Sequence, residues 1–175
     1  MIVYFIIFVL ASLGITWYSR KVLRDPYSHG FYRYFAFEAI LALVLINLPF
    51  WIVRPFTPLH LLSWLSLLAS GFLAIHGFYL LRKVGQPEGD FEATTRLVEV
   101  GAYHYIRHPL YGSLLWLAVG AYLKNPSLAG TGLLLGGMAF LIFTARVEEG
   151  ENLEHFGQAY ADYMGRTKMF IPFIL

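Results

Sequence analysis

Five long apolar runs, separated by short polar segments, constrain this chain more than any other feature. They cover about residues 2–17, 35–53, 59–81, 110–123 and 128–145. In hydrocarbon every backbone N–H and C=O must be satisfied internally, so a lipid-embedded run of this length folds as a helix. A helix needs about 20 residues to cross a core of about 30 Å. The second and third runs meet that length. The fourth and fifth are short, are joined by Lys124, Asn125 and Pro126, and read as a helical hairpin. Such a hairpin either borrows flanking residues such as Tyr103 to Ile106 or crosses part of the bilayer. The expected fold is all-α and integral to the membrane, with about five transmembrane helices in a single domain over 1–175. Composition agrees: 58% of residues are hydrophobic and 14% charged, against about 45–50% and about 25% in soluble domains.

Charge placement gives an orientation. Of the thirteen Lys and Arg, only Arg54 and Lys124 fall in the second and fourth connections. The other eleven sit in the first and third connections and in the tail. Lys and Arg accumulate on the cytoplasmic side, so the N-terminus is expected outside and both long polar segments, 82–109 and 146–175, in the cytoplasm. The first run has no basic leader and is followed by Arg20, Lys21 and Arg24, which predicts a retained span rather than a cleaved signal. The chain has no cysteine, which excludes disulfides, thiolate catalysis and Cys-ligated zinc from its residues.

The polar segments carry the candidate chemistry. Residues 101–112 hold two His, an Arg, three Tyr and a Pro between apolar runs. Polar groups at a membrane boundary cost free energy unless paired or used. Residues 84–95 read as a polar loop. From 148 to 163 the pattern becomes that of an amphipathic helix, with Leu153, Phe156 and Tyr160 on one face and Gly165 as its stop. Gly130, Gly132, Gly136 and Gly137 read as a close-packing stripe. His104 and His108 are four apart, but Pro109 disfavours helix at His108 and no third residue has zinc-ligand spacing, so no metal is expected. No nucleotide-binding or serine-nucleophile motif appears. Glu148 and Glu149 suit a helix N-terminus as well as a ligand site. Arg107, His108 and the tyrosines suit interface anchors as well as a ligand site.

The text Leu97-Val98-x-x-Gly101-x-Tyr103-x-Tyr105-Ile106-Arg107-His108-Pro109-Leu110-Tyr111 resembles the isoprenylcysteine carboxyl methyltransferase family and its phospholipid N-methyltransferase relatives. So does Glu148-Glu149-x-x-x-Leu153-x-x-Phe156-Gly157-x-x-Tyr160-x-x-Tyr163, followed by Ile171 to Ile174. The resemblance covers the C-terminal half, from Leu97 on; the first three spans match in hydropathy alone. It implies S-adenosyl-L-methionine as methyl donor, in a cytoplasmic pocket completed by the C-terminal helix. His108, Pro109, Tyr111 and the backbone about Val98, Gly101 and Tyr103 would line it. Glu149 and Asn152 would hold its ribose or amino-acid end, with Glu148 orienting them. Arg107 or Arg146 would aim a carboxylate acceptor.

Carboxylates and aromatic faces suit a cationic sulfonium, and a carboxylate acceptor is already ionised near neutral pH. The acceptor expected is a membrane-borne lipophilic carboxylate, such as a prenylated cysteine, arriving laterally from the bilayer; no nucleic acid or obligate protein partner is expected. A Gly-x-x-Trp element of the family reads here Gly85-Gln86-Pro87-Glu88, without Trp, which leaves the acceptor open. The other readings are an amine or phospholipid methyltransferase, a nicotinamide-dependent membrane reductase, and a non-catalytic membrane module.

Overall fold

A computed structural model describes residues 2–52, 57–88 and 94–172. Helix α1 runs Ile2–Ser19, α2 His29–Asn47, α3 Pro58–Leu80, α4 Pro109–Tyr122, α5 Leu128–Phe156 and α6 Gln158–Arg166. Short 3₁₀ turns lie at Val22–Arg24, Leu48–Phe50 and Gly101–His104, and a π-helical turn at Leu81–Gly85 prolongs α3. Among the described residues there is no strand, only two isolated backbone pairings, Pro87 with Thr94 and Ile106 with Lys168.

The five apolar runs correspond to α1–α5, and four of these helices are long and apolar enough to cross a membrane. The exception is α4. Its 14 residues reach only about 21 Å at 1.5 Å per residue. It does not borrow Tyr103 to Ile106, because Pro109 opens the helix at its first position and His108 is non-helical, at φ −122° and ψ 65°. A Pro at that position has no N–H to lose.

Helix α2 packs most extensively on α5, and α3 on α4, while α1 leans on α2. Ala36, Ile40 and Leu43 of α2, Tyr111, Leu115, Ala118 and Ala121 of α4, and Leu141 and Ala145 of α5 form the core, closed at one end by Phe170. Ser63 of α3 donates to the Gly120 carbonyl at 2.7 Å. In the glycine stripe, Gly130 and Gly137 approach Leu43, Ile40 and Ala39 of α2, whereas Gly132 and Gly136 have no such neighbour. The outward sides of α1 and α3 are apolar and exposed, as lipid-facing helices require. The chain is a multi-pass membrane protein.

Three boundaries differ from those the sequence suggests. The second helix spans His29–Asn47 rather than 35–53, so Arg33 sits buried inside it instead of in the preceding loop. Pro49 converts its end to a 3₁₀ turn; the expected end at Val53, like Arg54, Gly89, Asp90, Glu92, Phe173 and Ile174, lies outside the described residues. No separate helix starts at Glu148. Helix α5 continues unbroken from Leu128 to Phe156, because the change to polar residues at Arg146 marks departure from the apolar layer and contains no proline, Gly150 being accommodated in the helix. The break falls at Gly157, whose φ of +59° and ψ of −132° suit a residue without a Cβ. Gly165 is therefore inside α6, and Thr167, in extended conformation, ends it.

At the opposite end from α6, Lys124 is 1% exposed. Its Nζ lies 3.6 Å from the Trp64 ring centroid and 5.8 Å from that of Trp51. A desolvated ammonium over an indole is the strong form of a cation–π contact, and here it pins the α4–α5 turn to the start of α3.

Candidate active site

The two polar segments meet at one end of the bundle. Helix α4 starts there, with His108 at its N-cap and Tyr111 on its first turn. The prolongation of α5 brings Glu148, Glu149, Asn152 and Phe156 onto the facing side. After α6 the chain returns as an extended segment beside residues 105–108. Arg107 N donates to Lys168 O at 2.7 Å, His108 N to Met169 O at 3.1 Å, and Lys168 N to Tyr105 O at 3.1 Å. Thus the C-terminal segment fixes the backbone that carries Arg107 and His108.

The side chains form a connected set. Arg107 Nε donates to Glu149 Oε1 at 2.6 Å, and its Nη1 donates to the carbonyls of Thr167 at 2.5 Å and Met164 at 3.3 Å. His108 is buried and stacks on Tyr111, with ring centroids 5.5 Å apart and planes at 19°. Its Nδ1 is 3.8 Å from Glu148 Oε1 and its Nε2 3.4 Å from Glu149 Oε1. Both contacts are longer than the Arg107–Glu149 bond, and the Nε2 contact lies at the outer limit of a hydrogen bond. Tyr111 donates its hydroxyl to Glu148 Oε2 at 2.5 Å. Tyr163 donates to the Tyr103 carbonyl at 2.6 Å. Burial raises the Tyr160 phenol well above its ordinary pKa, and the Glu149 and Glu148 carboxylates push it further. Tyr163 is raised mainly by burial. Both phenols therefore stay neutral, and Tyr163 acts as a donor.

This set lines an inner cleft of about 70 Å³, walled by Val98, Tyr103, His108, Tyr111, Asn152 and Tyr160 among others. It adjoins an outer cavity of about 530 Å³ bordered by Val22, His29, Arg33, Glu88, Thr95, Glu151 and His155. Thr94, Glu148 and Asn152 belong to both walls. The outer volume falls in the range of small-molecule sites, about 300–1,000 Å³, and the inner one does not. His29 ties the start of α2 to α5: its N donates to Glu151 Oε1 at 3.2 Å, and its Nδ1 is 2.5 Å from Oε2.

Of the residues expected from the sequence, Val98, Tyr103, Arg107, His108, Tyr111, Glu148 and Asn152 line the cleft. Glu149 lies behind them, held by Arg107. Gly101 and Pro109 shape the backbone: Gly101 has φ +60°, and a Cβ there would meet His76 Nε2 at 2.6 Å. Arg146 is not brought in. It is exposed, being rotated off the α5 face that carries Glu148, Asn152 and Phe156. The guanidinium of Arg107 is committed to Glu149 and two carbonyls, which makes it a positioning group.

Tyr160 and Tyr163 join the expected site residues, and on the outer wall Val22, His29, Arg33, Glu151 and His155 join Glu148, Asn152 and the loop residues Glu88, Thr94 and Thr95. The tyrosines stand in the second stretch of family-like text, which was the available signal. His29, Arg33 and Glu151 carry none, since His29 and Glu151 are 122 residues apart.

Comparison with known proteins follows the same residues. A family profile described as phospholipid methyltransferase matches residues 59–165. That range takes in α3, beyond the C-terminal half on which the resemblance rested, and leaves out α1 and α2. A protein-S-isoprenylcysteine O-methyltransferase from Saccharomyces cerevisiae is 33% identical over 88 residues, covering 45% of this chain and 33% of the yeast protein. The chain thus spans about a third of that relative's length. No solved structure matches it. With the profile covering nearly all of α3 through α6, the first polar segment and the second as far as residue 165, the chain belongs to the phospholipid methyltransferase family.

Proposed function

We propose that the protein is an S-adenosyl-L-methionine-dependent methyltransferase that modifies a membrane-borne lipophilic carboxylate. The observation that carries this reading is the meeting of Arg107, His108 and Tyr111 with Glu148 and Glu149 around a cleft that opens into a ligand-sized cavity. The donor supplies an electrophilic methyl group on a cationic sulfonium. The residues present fit it. Glu148 is a carboxylate shared by both cavity walls, Tyr103, Tyr111, Phe156 and Tyr160 offer aromatic faces, and both kinds of group favour a cation. His108, buried on the cleft wall with Nε2 only 3.4 Å from Glu149 Oε1, adds a polar edge to the lining. Asn152, on both walls, supplies neutral donor and acceptor groups.

Methyl transfer is an in-line displacement, so the protein's task is to hold acceptor, methyl and sulfur collinear. The Arg107–Glu149 pair serves this by fixing the loop that carries His108. A carboxylate acceptor requires no general base. The site then faces the cytoplasm, with the N-terminus outside, in keeping with the eleven Lys and Arg at this end of the sequence pattern. The acceptor enters from the bilayer, as the exposed apolar helices permit.

The family description favours a second reading, with an amine acceptor on a phospholipid. An amine must lose a proton, and Glu148 or His108 would take it. Incubating the reconstituted protein with methyl-labelled donor and lipid extracts tests both. Base-labile label in the lipid fraction is the ester expected from a carboxylate. Base-stable label would favour the amine. Transfer to neither would overturn the methyltransferase reading.

A further inference from the structure

We propose that the turn between α1 and α2 is a docking site for anionic phospholipid headgroups at the mouth of the outer cavity. Arg20, Lys21 and Arg24 lie within and just before the 3₁₀ turn Val22–Arg24, and all three are exposed. None pairs with a carboxylate among the described residues. The one acid beside them, Asp25, accepts from the Tyr27 backbone at 3.0 Å. Arg107 is committed to Glu149, and Arg166 lies 2.7 Å from Glu99. Arg82 and Lys83 lean on Phe78 and Tyr79 of their own helix, and Arg96, Arg146 and Lys168 are exposed on separate segments. Three exposed cations within five residues gather on this turn alone among the described residues.

Their surroundings specify a lipid. Trp17, Tyr18 and Tyr27 are 70%, 63% and 87% exposed, and such rings settle at headgroup level. Arg20 is held over the Trp17 ring, 4.1 Å from its centroid, with Nη1 on the Trp17 carbonyl. Below Trp17, Leu13 and Leu10 continue an exposed apolar shaft along which an acyl chain would lie. Val22, in the same turn, borders the outer cavity. A headgroup held here stands at the cavity's entrance, on a part of the chain outside the family match at 59–165. The inference stands apart from the methyl-transfer chemistry.

At a membrane surface each basic residue favours anionic lipid by about fivefold. The test is tryptophan fluorescence of the protein in phosphatidylcholine vesicles carrying a minor fraction of either brominated phosphatidylglycerol or brominated phosphatidylcholine. The Trp17 signal is taken as the difference from Trp17→Phe. Phosphatidylglycerol is expected to quench Trp17 several-fold more strongly. That preference should vanish in the triple variant Arg20→Gln/Lys21→Gln/Arg24→Gln and persist in Arg82→Gln/Lys83→Gln. Equal quenching by the two lipids, or a preference surviving in the triple variant, would overturn the proposal. Loss of the preference on adding inorganic phosphate at constant ionic strength would assign the site to free phosphate and overturn it equally.

Discussion

Arg107 and Glu149, 42 residues apart in sequence, form an ion pair with Nε 2.6 Å from Oε1 and side chains only 10% and 9% exposed. Helix α4's entry and helix α5's prolongation are joined through it. Because Arg107 also binds the Met164 and Thr167 carbonyls, the same guanidinium holds the returning C-terminal segment.

Removing the cation should therefore leave the buried Glu149 carboxylate with only the His108 contact at 3.4 Å and free that segment. Breaking a buried pair from one side costs about 3–5 kcal/mol. Arg107→Ala is expected to lower the unfolding midpoint in detergent strongly and to expose residues 166–170 to hydrogen exchange. A midpoint unchanged within error would show that the pair is not structural.

Gly101 makes a sharper conformational test. At φ +60°, with His76 Nε2 and Leu80 Cδ1 at 2.6 and 2.7 Å from a built Cβ, Gly101→Ala is strained twice over. We expect a loss of about 1–3 kcal/mol, read as a lower thermal midpoint. Gly132→Ala, where a Cβ meets nothing within 4 Å, should be neutral or slightly stabilising.

Alkaline pH should weaken the site end. The Tyr160 phenol is raised in the folded state by burial and by the Glu149 and Glu148 charges, so the folded protein favours its neutral form. That contribution is complete below the unfolded phenol value, about 10, and is lost as pH rises above it. The midpoint of Tyr160→Phe is expected to fall less steeply above pH 10 than that of the parent. Parallel curves for the two proteins would contradict the assignment.

Orientation is testable because the chain has no native cysteine. Leu128, exposed at the start of α5, lies at the end of the bundle away from the cleft and outside the Ser127 capping bond to Gly130 N. Leu128→Cys should react with an impermeant maleimide added outside intact cells. Reaction solely after the membrane is opened would reverse the proposed topology.

The helices were readable because hydrocarbon leaves the backbone few choices, and the apolar runs translate directly into α1 to α5. Their ends were less readable. Composition changes where the membrane stops, as at Arg146, whereas a helix stops where the backbone changes, as at Gly157. The inner cleft was largely legible because Arg107, His108, Tyr111, Glu148 and Glu149 fall in two family-like stretches. Arg146, the alternative to Arg107 for aiming a carboxylate, stands exposed off the cleft, because residues two apart on a helix do not share a face. The outer cavity was legible only in part, through Glu148, Asn152 and the polar loop about Thr94; its far wall joins α2 to α5 through His29 and Glu151, a pairing that no local pattern encodes.

Binding of S-adenosylhomocysteine to the detergent-purified protein, followed by calorimetry, tests the central claim most directly. The account predicts saturable binding by the parent, weakened about tenfold or more in His108→Ala and in Asn152→Ala, with unfolding midpoints showing both variants folded. Absence of saturable binding by the parent, or equal affinity in the parent and both folded variants, would contradict it.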